Sequence, residues 1–115
     1  MPIVYKIVDT AIWREAERKE VFHGSAHDVR DGFIHFSTAA QVAETAARHF
    51  AGQADLLLVH VETGRLGDSL KWEPSRGGQL FPHLYTPLAL AAVAKVEPLP
   101  LGADGVHTLP PLPES

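Results

Sequence analysis

The chain has 115 residues, is 45% hydrophobic, contains no cysteine and carries a formal net charge of −4 with histidines neutral. That length supports one domain around one core, and the lack of cysteine excludes disulfides, thiolate catalysis and cysteine-ligated zinc. The acid excess argues against a duplex DNA or RNA binder, which carries a basic face, but leaves room for a small phosphate-bearing ligand held by one or two local cations. No run of about 18 apolar residues is present to cross a membrane, and no signal-peptide pattern precedes the first strand. A cytoplasmic location is the default expectation.

Residues 2–8 read as a strand. Ile3, Tyr5 and Ile7 share one face; Val4, Lys6 and Val8 share the other. Lys6, between two valines, is either a strand-edge lysine reaching water or a cation pointing into a cleft. Asp9 or Thr10 caps a helix running to about Lys19, with Ile12, Trp13 and Ala16 as its apolar stripe and a charged, solvated far side. Val21-Phe22 is a brief strand. Residues 23–28 read as loop, where Gly24 and Ser25 can offer backbone N–H groups to an anion.

The stretch Asp31-Gly32-Phe33-Ile34-His35-Phe36-Ser37-Thr38 reads as turn, strand, then helix start. Thr38 followed by Gln41 fits a capping box, which predicts a helix over 39–51 closed by Gly52. Residues 54–62 contain Leu56-Leu57-Leu58-Val59, continuous rather than alternating, as in a strand covered on both faces. A turn at 64–68 and a short strand at 70–73 follow. Residues 75–87, with two glycines, two prolines and several bulky apolar groups, read as an ordered loop that lines a site. A last edge strand over about 91–98 leads into a Pro/Gly-rich tail at 100–115, expected to be extended or frayed. The domain is therefore set at 1–99, and two main helices on a mixed or antiparallel sheet make the fold class α+β.

Alternation puts His35 on the same strand face as Phe33 and Ser37, so an imidazole and a hydroxyl can touch one ligand. Arg76 beside Gly77 and Gly78 can present a guanidinium fork and backbone amides to a phosphate or carboxylate. Pro82-His83-Leu84-Tyr85 adds a second imidazole and a phenol. Together with Lys6 these make a plausible anion-binding acid/base site. Each has an ordinary reading beside the functional one: a buried, backbone-bonded imidazole for His35, an ion pair with Glu73 for Arg76, core packing for Tyr85. His27, His60 and His107 are read as hydrogen-bonded imidazoles. His23 and His27 have a metal-compatible spacing, but on a loop without a helix to set geometry it is taken as chance, and no metal site is expected.

These motifs, with Tyr5-Lys6-Ile7, Trp13, Gly24-Ser25, Asp28, His49-Phe50 and Trp72-Glu73, resemble a small bacterial family catalogued as domain of unknown function nine-five-two. The resemblance runs to about Val96. It implies an ADP-ribosyltransferase-like fold, a split sheet with a cleft that binds NAD in relatives. Phe33-Ile34-His35-Phe36-Ser37 is also similar to the His-x-His-[hydrophobic]-Ser segment of the RNA two-prime phosphotransferase family. Only His35 and Ser37 match it, since Phe33 stands at the first histidine. The late glutamate used by many ADP-ribosyltransferases has no placed counterpart.

On this resemblance Lys6 and Arg76 would hold a diphosphate, Ser37 and Thr38 would lie near the ribose, and His35 and His83 would orient the ligand or move a proton. The implied cofactor is NAD or ADP-ribose and the implied chemistry that of a transferase or hydrolase. Glutathione transferase activity is not implied, because the chain has neither a thioredoxin-like nor a helical half. The alternative is a non-catalytic ligand-binding or interaction module, with Phe81 and Leu84 packed on a partner.

Overall fold

The computed structural model describes residues 2–112, apart from the side chain of Arg76. Two three-stranded antiparallel sheets carry the fold. In the first, β1 (Ile3–Asp9), β4 (Leu56–Glu62) and β8 (Val93–Leu99) lie in the order β1-β4-β8. In the second, β3 (Ile34–His35), β6 (Leu80–Leu84) and β5 (Leu70–Pro74) lie in the order β3-β6-β5. A two-stranded ribbon pairs β2 (Val21–Phe22) with β7 (Leu88–Ala89). The sheets meet at one bridge, where Tyr5 and Ser37 exchange backbone hydrogen bonds of 2.8 Å each way. The result is an α+β domain, and among the described residues no helix is long and apolar enough to cross a membrane.

The pattern of β1 and β4 explains the layering. Val4, Val8, Leu57, Val59 and Val61 face one core cluster with Trp13, Phe22, Ile34 and Leu84. Tyr5, Ile7, Leu56 and Leu58 face another with Val42 and Ala46. Helix α1 (Thr10–Lys19) is capped by Asp9, whose Oδ1 accepts from the Ala11 and Ile12 N–H groups, and it buries Trp13 and Ala16. Ile12, expected in that stripe, is 42% exposed and borders a cleft instead.

Four expectations are corrected. Residues 23–28 are not all loop: α2 (Ala26–Asp31) forms there, because Asp28 at its third position reaches back to the Ser25 N–H at 2.8 Å. Gly32 ends it at φ 87°. Helix α3 (Val42–His49) is shorter than 39–51. Gln41 Oε1 does accept from the Thr38 N–H, at 3.1 Å, but this closes a turn ahead of the α-helix, and the C-cap is Phe50 rather than Gly52. Residues 75–87 contain β6, the middle strand of the second sheet. Pro82 removes one donor from that strand, yet its carbonyl still accepts from the Phe36 N–H at 3.0 Å. Phe81 and Leu84, offered as partner contacts, are 7% and 1% exposed and belong to the interior.

The segment after β8 is not frayed as far as residue 112. Leu101 bridges His107, Gly102 N–H donates to the Val106 carbonyl at 2.8 Å, and Leu109 and Leu112 pack on the Tyr5 cluster. Residues 113–115 of the expected tail lie outside the described residues.

Candidate functional site

A cleft of about 1000 Å³ opens where β1, β3 and β6 converge, with α2 and α3 at its rims. Its organising group is Asp28, 2% exposed. Oδ1 accepts from Lys6 Nζ at 2.9 Å and from the His35 backbone N–H at 3.1 Å, and it lies 2.6 Å from His35 Nδ1. Oδ2 accepts from the Ser25 N–H at 2.8 Å and the Ser25 hydroxyl at 3.1 Å. Burial alone would raise the Asp28 carboxyl, but the His35 hydrogen bond and then the Lys6 charge outweigh it and hold it well below the usual carboxylate range. Burial in turn pulls the Lys6 ammonium below its ordinary value, against the pull of Asp28.

Lys6 is thus the buried cation of its strand face, but it is spent on Asp28 and has no charge to spare for a diphosphate. Gly24 serves the same carboxylate by size. Its φ is +105°, and a Cβ there would sit 2.7 Å from the Asp28 Cβ.

His35 continues this chain of contacts outward. Its Nε2 lies 3.0 Å from Asp31 Oδ2. His27, one turn before Asp31 on α2, places Nε2 3.4 Å from the same oxygen, with its ring 4.5 Å from that of His35. Its Nδ1 is 2.7 Å from Arg30 Nη2. Burial, then the nearby His35 and Arg30, lowers the His27 pKa. His27 is hydrogen-bonded, as expected from the sequence, but its place beside Asp31 and His35 was not expected. His60, 2.5 Å from Glu97, and His107, 2.8 Å from the Gln53 carbonyl, do match the ordinary reading.

The antiparallel register sets His83 directly opposite His35. Phe33 stacks on His83 at 4.1 Å between ring centroids and lies 4.5 Å from His35. Behind His83, Glu73 Oε1 accepts from the Tyr85 hydroxyl at 2.7 Å and sits 2.8 Å from His83 Nδ1. The Tyr85 bond first, then His83, lowers the Glu73 pKa, and Glu73 raises that of Tyr85.

Of the residues selected from the sequence, Lys6, Ser25, His35, Ser37 and His83 line the cleft. Ser37 is buried, with Oγ 2.9 Å from Thr45 Oγ1. Gly24, Thr38, Gly77, Gly78 and Tyr85 are not on its wall, although Tyr85 is linked to it through Glu73 and then His83. The Arg76 side chain lies outside what is described. Sequence reasoning missed Asp28, Asp31, His27, Phe33 and Glu73 as site groups. The signals were present: Ser25-x2-Asp28 is a capping-box spacing, and His27, Asp31 and His35 recur every fourth residue.

Fold and site define a class: a small α+β domain with a cleft of histidines and carboxylates at the junction of two antiparallel sheets. The chain belongs to the family described as protein of unknown function (DUF952), whose model matches residues 7–96. It is similar to the crystal structure of protein CC0527 from Caulobacter crescentus, at 51% identity and a TM-score of 0.89, over 92% of this chain and 93% of that one. The solution NMR structure of the same Caulobacter protein agrees at 52% identity and a TM-score of 0.83, over 92% and 91% of the two chains. No curated protein matches the chain.

Proposed function

We propose that the cleft is a nucleotide-scale small-molecule site and that His35 Nε2 is its working atom. The observation that carries this is the 2.6 Å contact between His35 Nδ1 and the buried Asp28. A buried carboxylate at Nδ1 fixes the ring and its tautomer, and leaves Nε2 to act as base or ligand atom. The cleft volume of about 1000 Å³ is at the upper end for small-ligand sites, which span roughly 300–1,000 Å³. Phe33, which lines the cleft with His83 stacked against one side of its ring, offers an aromatic surface for a base or a nicotinamide. NAD, ADP-ribose and their fragments are the ligands this supports, and the split between the sheets at Tyr5 and Ser37 suits an ADP-ribosyltransferase-like arrangement. Turnover of such a ligand would make the protein a transferase or hydrolase; binding without turnover would make it a non-catalytic ligand-binding module.

Lys6, paired with Asp28, does not hold a diphosphate in this reading. With Asp28, Asp31 and Glu73 around the two histidines, the uncharged end of a ligand belongs there. The phosphates belong toward Ser75, which lines the cleft, and toward Arg76 beside it. A ligand-observed NMR screen with NAD, ADP-ribose, nucleoside phosphates and inorganic phosphate tests the reading. NAD or ADP-ribose should bind the wild type, and Phe33→Ala should weaken binding about tenfold or more, as loss of a stacking platform does. If none of these molecules binds, the reading fails. If they bind, NAD turnover separates enzyme from binding protein.

A further inference from the structure

We infer that His27, Asp31 and His35 form a binding site for a first-row divalent cation, with zinc as the ion to test. This deepens the reading of His35 Nε2 as the working atom and rests on it in that respect.

The three residues come from a helix and the strand that follows it. His27 and Asp31 are one helical turn apart on α2, so their side chains lie on one face. Gly32 turns the chain at φ 87°, and His35 enters β3 beside them. One ligand-type atom from each residue lies within 4.8 Å of the other two. Zinc ligands about 2.0–2.1 Å from the ion stand roughly 3.3 Å apart in a tetrahedron. Asp31 Oδ2 is 3.0 Å from His35 Nε2 and 3.4 Å from His27 Nε2, so small rotations seat an ion among them.

The second observation lies behind His35. Asp28 holds Nδ1 at 2.6 Å and is itself fixed by Ser25 and Lys6. A ligand histidine characteristically gives its second ring N–H to such a carboxylate, which sets the tautomer and raises ligand basicity. Nε2 on the other side of the ring lies 3.0 Å from Asp31 Oδ2, and the place between them is filled by a ring proton or, in its stead, by a cation. The two imidazoles and one carboxylate grouped here among the described residues match donor sets that leave coordination positions open to solvent or substrate. Here the open side is the cleft.

One contact opposes the site. Arg30 Nη2 donates to His27 Nδ1 at 2.7 Å, which places the neutral-ring hydrogen on Nε2, where the ion would go. Arg30 is an exposed side chain on the same helix, so its displacement is a surface rearrangement. Removing it should therefore strengthen metal binding, a result that a merely structural cluster does not give.

The experiment is a zinc titration of the untagged chain by calorimetry against a competing chelator, with histidine 15N shifts followed by NMR. Expected is a 1:1 site that shifts Nε2 of His27 and His35. His27→Ala or Asp31→Asn should weaken it a hundredfold or more, while Arg30→Ala tightens it. His23→Ala, exposed and outside the cluster, should leave it unchanged. His27 and Asp31 are both at the surface, so these variants keep the fold, and Asp28→Asn, where it stays folded, should weaken zinc by 10–100-fold. Wild-type binding no tighter than that of the His27→Ala/Asp31→Asn double variant overturns the inference. Repeating the nucleotide screen with and without zinc separates the two readings: a zinc site with no nucleotide binding in either form defeats only the ligand reading, and nucleotide binding without a zinc site defeats only the metal.

Discussion

The two histidines that face each other across β3 and β6 are built alike and held differently. Each has a carboxylate at Nδ1, Asp28 at 2.6 Å for His35 and Glu73 at 2.8 Å for His83. Asp28 is buried, with a lysine, a backbone N–H pair and a hydroxyl completing its shell. Glu73 stands at the surface end of β5, and its further partner is the 47%-exposed Tyr85. The same pairwise contact therefore has two meanings. In a dry interior an ionised group is tolerable only with all its partners present, so it dictates the local fold. At the edge, water substitutes for a lost partner, and the contact only tunes.

The largest expected effect comes from striking the buried side. Asp28→Asn leaves Lys6 charged and unpaired in the interior and should cost about 3–5 kcal/mol, read by urea unfolding. Lys6→Met leaves Asp28 with Ser25 and His35 still bonded, so its cost should be smaller, about 1.5–3 kcal/mol for a lost charge-assisted bond. The double variant Lys6→Met/Asp28→Asn should cost clearly less than the sum of the single changes, because neither charge is stranded. Strict additivity would mean that the two groups do not act as a pair, and the contrast with Glu73 would lose its basis.

Acidity gives the next test. Asp28 has a folded-state pKa below its ordinary 3.8, so its contribution is complete above that value and is lost as pH falls through the lower, folded one. Stability of the wild type should drop steeply on the acid side of 3.8, and Asp28→Asn should flatten that limb. Glu73 is shifted in the same direction, but its side chain is partly open to water where that of Asp28 is buried. Glu73→Gln should leave both the neutral-pH midpoint and the acid limb close to wild type. An acid limb that follows Glu73 instead of Asp28 would reverse the assignment of the two sides.

The same contrast explains what was legible in the sequence. The alternation in Ile3–Asp9, the unbroken apolar run in Leu56–Glu62 and the cap at Asp9 are local signals, and the elements follow them. His35 and His83 were visible as chemistry, and antiparallel pairing placed them opposite each other. Asp28 was legible only as part of a loop, because its role depends on Lys6 and His35, distant in sequence by 22 and 7 residues. Local periodicity carries no information about such a meeting. Pro82 hid β6 for a related reason. A proline argues against a middle strand, but here its neighbour β3 needs only its carbonyl.

The smallest effect is the most specific to the exposed side. The Tyr85 hydroxyl is the leading cause of the lowered Glu73 pKa, ahead of the His83 bond. Tyr85→Phe removes that donor without emptying the space its ring fills. The Glu73 carboxyl, followed by 13C NMR through an acid titration, should then move up toward its ordinary value. Asp28 should not move at all, since no bond links the Tyr85 hydroxyl to the Lys6–Asp28–His35 chain. His83→Phe should move Glu73 by less than Tyr85→Phe does. If Asp28 responds to Tyr85→Phe, the two histidine stations are coupled through Phe33, whose ring lies 5.2 Å from that of Tyr85 and 4.5 Å from that of His35. They would then have to be treated as one titrating unit rather than as two separate histidine–carboxylate pairs.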